Sequence, residues 1–322
     1  MIYFSAILSG MAALKQRIGK RCTILFPAVG MLLVLFAAWP QGARGAEALH
    51  TSVGFSSSTF LDVSKDRAQA ITALWARLVA RKWGGTASTR VCSSLPELEK
   101  DIRSKEIDLV VLLPAEYLQM KGKVPLEPLF VSAKQKEVYD RLILVVRRDS
   151  GISSLSDLKG KTLIQQKGIY PAGLSLWLDT LLMRKEIRDP KRFFSKVRES
   201  MKPSSAILHV FFRHVDACVV TQSSFLVMTE LNPQLDRELL ILEKSPPRPS
   251  SIIAVRKGLS GRHRKSVHEI LDTLDQSPEG KQLLTLFRMN RLVPFRSEYL
   301  LPLEGLFREN KDLKLLLTKR SP

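Results

Sequence analysis

From residue 49 onward, short aliphatic runs alternate with stretches of helical period, and glycines or serines stand at most of the changes. "LHTSVGF" alternates as a strand. The following segment, 66–83, places Ala68, Ile71, Leu74, Trp75, Leu78 and Val79 on one helical face, and Gly84-Gly85 ends it. "STRVCSS", a helix over 95–103, the apolar strand "DLVVLLP" and a helix beginning near Ala115 complete a β-α-β-α-β lobe. The same alternation returns as "TLIQ", a helix over 174–185, "FFSKV", a helix over 204–213, "DACVV" and a helix over 223–230. Two similar α/β lobes with mainly parallel strands follow from this pattern.

Between the lobes stand "RLILVVRRDSG" and, about a hundred residues later, "SSIIAVRKGLSG". Each is an apolar run closed by Val-Arg and a basic turn, and the pair predicts two crossing strands that form a hinge. The stretch 147–160 then reads as the exit onto the second lobe, with Ser154 or Ser156 capping a short helix and Gly160 supplying a positive φ. Lobe one is expected over 49–146, lobe two over 147–249, and a return strand with lobe-one helices over 250–309. There Ser277-Pro278 starts a helix with Leu283, Leu284 and Phe287 inward, and a weakly specified tail occupies 310–322.

The segment 1–48 changes the picture of where the chain works. Lys15, Arg17, Lys20 and Arg21 precede an uncharged run over 22–39, and the small residues of "GARGAEA" follow, which is the order of a secretory signal cleaved between about 45 and 48. An uncleaved anchor is the alternative, because the run is long for a signal. The mature chain is expected to be soluble and periplasmic, or otherwise extracytoplasmic. Cleavage after Gly45 takes the balance from 50 Lys/Arg against 31 Asp/Glu to 45 against 31, a net charge of +14. The cations are scattered without interleaved aromatics, so they predict a solvated basic face that attracts anions rather than a nucleic-acid surface. Cys92 and Cys218 sit in strand-like runs of different lobes and predict buried free thiols.

Catalytic constellations are poor. His209/His214 and His263/His268 are five apart, not the i,i+4 spacing of a metal pair, and "VHEIL" lacks a second histidine. No G-x-S-x-G, P-loop or G-x-G-x-x-G occurs. The reading is a protein that is not an enzyme, with no metal and no cofactor.

"EIDLVVLLPAEYL", "LVVRRDSGISSLSDLKGKTL", "VDACVVTQS", "SIIAVRKGLS" and "SPEGKQLLTLF" together resemble the phosphate/phosphite/phosphonate-type substrate-binding proteins of ABC transporters, over most of the mature chain. The V-R-x-D-S-G-I-x-S-L-x-D-L-K-G-K-T pattern is the specific part; "SPEGKQLL" is supportive. The resemblance implies a type-2 periplasmic-binding-protein fold that closes over a small solute, and an ABC transporter permease as partner. It also implies that Tyr117 aligns with a pocket-lining tyrosine. Many phosphonate binders carry a Ser/Thr-rich loop after the strand matching "TLIQ"; here that loop is "QKGIYPAGL", with no hydroxyl side chain but Tyr170 before Ser175.

In open α/β lobes ligands bind beyond the carboxyl ends of strands, where helix N-termini aim free N–H groups. The loops 54–58, 114–117, 166–173 and 221–224 meet that rule. Ser56, Ser57 and Ser58 offer hydroxyls or simply cap a turn. Lys167 and Tyr170 stand where the hydroxyls are missing, and the lysine would bring a full positive charge. Ser204 and Ser205 open a helix, as N-caps or ligand contacts, and Thr221 and Gln222 follow an apolar strand. Glu116 reads as solvated. The expected function is a monomeric receptor for a small anionic, phosphonate- or phosphate-like solute; the alternative is an extracytoplasmic sensor or interaction module acting on a membrane partner.

Overall fold

The computed structural model describes residues 49–60, 63–82, 84–134, 137–166, 175–187, 189–200, 202–287 and 289–319. The expected signal over 1–48 lies outside them. Lobe one begins with β1 (His50–Ser56), α1 (Lys65–Lys82), β2 (Thr86–Cys92), α2 (Leu95–Arg103), β3 (Leu109–Leu112), α3 (Pro114–Met120) and β4 (Leu126–Ala133), and the chain leaves it through β5 (Tyr139–Asp140). Lobe two comprises β6 (Leu142–Arg147), β7 (Thr162–Gln166), α4 (Leu176–Arg184), α5 (Pro190–Phe193), β8 (Lys196–Ser200), α6 (Pro203–Phe211), β9 (Ala217–Thr221), α7 (Gln222–Leu231), α8 (Pro233–Glu238) and β10 (Leu239–Lys244). The return runs through β11 (Arg248–Pro249), β12 (Ile252–Arg256), α9 (Gly261–Asp272), α10 (Pro278–Leu286) and β13 (Arg291–Pro294) to α11 (Leu301–Lys319).

The strands form a six-stranded sheet in the order β13-β4-β12-β3-β1-β2 and a five-stranded sheet in the order β10-β6-β9-β7-β8. In each, three strands run parallel (β2, β1 and β3; β8, β7 and β9), and the crossing chain adds antiparallel neighbours. The sheets are therefore mixed, not mainly parallel, because a chain that enters or returns from the other lobe arrives in the opposite sense. Both faces of each sheet are buried, which is why the central strands read as unbroken apolar runs. In β3, Leu109 and Val111 join one core while Val110 and Leu112 join the other. In β6, Leu142, Leu144 and Val146 face one lobe-two core and Ile143 and Val145 the opposite one. Both follow from the period of two.

The crossing itself comes earlier than the pattern indicates. β6 and β12 do not pair; they lie in different sheets. What pairs is β5 with β11, antiparallel, with Tyr139 opposite Pro249 and Asp140 opposite Arg248. The hydrophobic pattern misses them because strands of two residues have no period to detect. The stretch 147–160 is accordingly not a hinge exit but the link from β6 to β7 inside lobe two. Gly151 and Gly160 take positive φ there, and Ile152, Leu155 and Leu158 enter the core. Ser154 caps its short turn, with Asp157 accepting the Ser154 N–H at 2.8 Å.

Two further expectations fail for packing reasons. Leu74 is exposed; Ala68, Thr72 and Ala76 are the fully buried described positions of α1. The tail, as far as Lys319, is the second half of α11. Asn310 is buried and donates to Thr180 Oγ1 at 2.8 Å and Asp179 Oδ2 at 3.1 Å, and Arg184 pairs with Glu309. At its other end Glu304 accepts from Lys121 at 2.7 Å, so α11 ties lobe two to the end of α3.

Candidate functional site

β1 and β3 are adjacent parallel strands, so the turn after Ser56 and the start of α3 meet at one end of the lobe-one sheet. Pro114 stands in the first turn of α3, where its missing N–H costs nothing. Glu116 is not solvated: it is 4% exposed, and it closes the helix start on itself. Its Oε2 accepts the Leu113 N–H at 2.8 Å and its Oε1 accepts the Ser56 hydroxyl at 2.6 Å. Ser56 Oγ in turn accepts the Ser58 N–H at 3.3 Å. Sequence reading missed this carboxylate; the signal was Glu at the third helical position, the reciprocal half of a capping box.

Ser57 and Ser58 are half-buried in the turn that follows. Beside them, Lys65 Nζ donates to Ser93 Oγ at 2.7 Å, which brings a cation to the ends of β1 and β2. Lys65 and Ser93 had no sequence signal, because a lysine starting a helix and a serine in a turn are individually commonplace. Tyr117 packs into the lobe-one core, 6% exposed, with its ring 6.5 Å from Phe295; burial pushes its hydroxyl pKa up.

On lobe two, Thr221 caps α7 by accepting the Ser224 N–H at 3.3 Å and donates to Ser224 Oγ at 2.7 Å. Gln222 is half-buried at the same helix start. Asp140, from the crossing strand, accepts Ser223 Oγ–H at 2.7 Å and Ser223 N–H at 3.1 Å, together with the Arg141 N–H at 2.8 Å. Ser204 is the second residue of α6; Lys202 holds the cap position, with Pro203 after it, so neither Ser204 nor Ser205 caps this helix. Lys167 and Tyr170 lie outside the described residues. Ser56, Ser57 and Ser58 thus fall at the carboxyl end of the lobe-one sheet, and Thr221, Gln222 and Ser204 at helix starts following lobe-two strands.

A groove of about 550 Å³ lies elsewhere, between α4 and α11, with Leu176, Phe307 and Leu315 as apolar lining and Arg308, Lys311 and Lys314 around them. Its lining comes from α4 and α11 alone, away from the strand-end loops that carry Ser56 and Thr221. His209 and His214 do come together, rings 5.6 Å apart, because the chain reverses after α6 with Arg213 at φ 60°. Among the described residues no group of three His, Cys, Asp or Glu side chains is arranged to hold a metal, and no helix is long and apolar enough to cross a membrane.

Comparison with solved structures gives the same two-lobed architecture. A binding protein component of an ABC phosphonate transporter from Pseudomonas aeruginosa matches at 16% identity over 84% of this chain and 89% of that one, with a TM-score of 0.63. XAC2383 from Xanthomonas citri bound to ATP matches at 18% over 82% and 98%, with a TM-score of 0.62. PhnD1 from Prochlorococcus marinus in complex with methylphosphonate matches at 16% over 82% and 98%, with a TM-score of 0.59. At such identities the likeness establishes the fold. No curated protein matches the chain. The family model for the ABC transporter, phosphonate, periplasmic substrate-binding protein covers residues 58–300, both lobes and the crossing between them, and the chain belongs to that family.

Proposed function

We propose that the chain is a monomeric, non-catalytic receptor, exported by the segment 1–48, that closes its two lobes on a small solute with an oxyanion group and delivers it to an ABC transporter permease. The observation that carries the reading is the family match across 58–300, which spans both lobes and the β5–β11 crossing on which they would close. Closure needs only a solute that binds the closed form better than the open one. The net charge of +14 expected after cleavage, from 45 Lys/Arg against 31 Asp/Glu, and the Lys65–Ser93 contact beside Ser57 and Ser58 favour a negatively charged group. Methylphosphonate in the Prochlorococcus relative is the model for its size.

The test is a thermal-shift screen of the purified protein against alkylphosphonates, phosphate, alkylsulfonates and neutral solutes. A solute held at about a hundred times its Kd stabilises the folded state by about 2.7 kcal/mol, which is several degrees in Tm. No shift with any phosphonate or other oxyanion would sink the reading. N-terminal sequencing of the exported protein tests the leader, with a start between residues 46 and 49 expected.

A further inference from the structure

The crossing between the lobes carries an arginine that the fold does not use. Arg248 stands in β11 within "PPRPS", where Pro247 and Pro249 restrict the backbone on either side and hold it extended. β11 pairs antiparallel with β5, so Arg248 and the opposite Asp140 share one face of the ribbon and Tyr139 takes the other. The two faces meet different lobes. Tyr139 lies edge-on to Tyr299 of lobe one, ring centroids 5.8 Å apart. Asp140 accepts the Ser223 hydroxyl at 2.7 Å and the Ser223 N–H at 3.1 Å, at the start of α7 beyond the carboxyl end of β9. Arg248 therefore sits on the crossing with its face of the ribbon turned toward the lobe-two helix start.

Its charge has no partner. The side chain is half-buried, its Nε is fully buried without an acceptor, and its two Nη atoms, which are not buried, make no hydrogen bond or ion pair among the described residues. Asp140, opposite it, is already held by three donors, the Ser223 N–H and hydroxyl and the Arg141 N–H. A cation with part of its hydration removed and no counter-charge attracts an anion more strongly than a solvated surface lysine does. We propose that Arg248 is the binding residue for the solute's negative group, its two Nη groups donating side by side to two oxygens of a tetrahedral oxyanion held between β11 and the start of α7. This rests on the receptor reading and deepens it. The planar fork matches two oxygens of one phosphonate, phosphate or sulfonate group, and the prolines keep it in place before the solute arrives.

Calorimetry with methylphosphonate, phosphate and methanesulfonate tests it on the purified protein, on Arg248→Met, on Arg248→Lys and on Lys311→Met, a change of the same charge at an exposed position of α11. Arg248→Met keeps the length of the side chain and removes both the charge and the buried donor without an acceptor, so the ligand-free variant should melt no lower than wild type. Its affinity for the tightest-bound of the three anions should fall about tenfold to a hundredfold, the range of a hydrogen-bonded contact to a charged group. Arg248→Lys keeps the charge without the fork and should bind between the two. Lys311→Met should bind like wild type. Four results overturn the proposal and leave the receptor reading standing: Arg248→Met that binds like wild type, or that loses no more than Lys311→Met; Arg248→Lys as tight as wild type; or a ligand-free Arg248→Met that melts several degrees lower or does not fold, which makes the arginine a structural residue. A wild type that binds none of the three anions overturns both.

Discussion

Asp108→Asn should destabilise lobe one by about 3 kcal/mol. Asp108 immediately precedes β3, Ser52 lies in the neighbouring β1 and Arg256 ends β12 on the other side, so one carboxylate joins three strands. Its Oδ2 accepts the Ser52 N–H at 3.1 Å and hydroxyl at 2.9 Å, and its Oδ1 accepts Arg256 Nη2 at 2.8 Å. The two side chains are 13% and 12% exposed, and Arg256 Nε finds no acceptor, so Asp108 is the partner on which the guanidinium depends. Asparagine can still accept from Ser52 but then turns its amide donor toward Arg256, leaving a buried cation unpaired. Removing one partner of a buried pair costs about 3–5 kcal/mol, and the residual exposure puts this pair at the lower end. At about 2–4 °C per kcal/mol, Tm should fall by roughly 6–12 °C. Urea unfolding followed by far-UV circular dichroism gives the free energy directly. Pairing the change with Arg256→Met, which removes the orphaned charge, should recover at least half of the loss. A single variant within about 0.5 kcal/mol of wild type, or a double variant as unstable as the sum of the two, would refute the argument that the pair matters through its buried charge.

The acid limb of stability follows from two carboxyls. Burial alone would raise Asp108, but hydrogen bonds from Arg256 and Ser52 outweigh it and hold it below its usual 3.8; hydrogen bonding from Arg147 holds Asp149 down to about 2. Folded values below unfolded ones mean stability that is complete above the unfolded pKa and lost as pH falls through the folded one, so the urea midpoint should be flat down to about pH 5 and drop below 3.8. Cys92 and Cys218 are buried and unlinked; burial pushes the first thiol up to about 12 and raises the second further. Neither should react with a thiol reagent at neutral pH until denaturant is added, and fast labelling of the native protein would contradict the burial. Gly280→Ala should destabilise more than Gly54→Ala although alanine favours the helix, because its Cβ would lie 1.7 Å from the Leu274 carbonyl oxygen, whereas at Gly54 the obstacle is the movable Ile107 Cδ1 at 2.5 Å. Urea midpoints in the reverse order would refute the distinction.

The elements that sequence reading recovers are those whose burial repeats. β3, β6, β9 and β12 are aliphatic along their length because helices cover both faces of their sheets. α2 and α6 carry regular apolar spacing and land within a residue or two of where the period puts them. What is lost is structure held by single contacts. The two-residue strands β5 and β11 exist because the chain passes there twice, and no local pattern announces such a meeting. The C-terminal half of α11 looks like a solvated Lys-Leu tail, yet Asn310 and Glu309 fix it to α4 through polar contacts more than a hundred residues distant in sequence.

The candidate site shows the same limit in sharper form. Rules about strand ends and helix starts point to Ser56, Ser57, Ser58, Thr221 and Gln222, and these residues do lie at such ends, because topology alone determines which loops stand at the carboxyl ends of the strands. Those rules count a hydroxyl as available whenever it stands at such an end. Availability, however, depends on where its one proton goes, and that is decided by a neighbour from another segment: Glu116 for Ser56, sixty residues away, and Asp140 for Ser223, eighty-three residues away. A glutamate at the third position of a helix is ambiguous in sequence, since it can face water or fold back onto the helix start. Here β1 delivers Ser56 against it, and the folded-back form is the one that leaves neither group unpaired. The same carboxylate that makes α3 start where it does therefore also fixes the direction of the Ser56 hydroxyl.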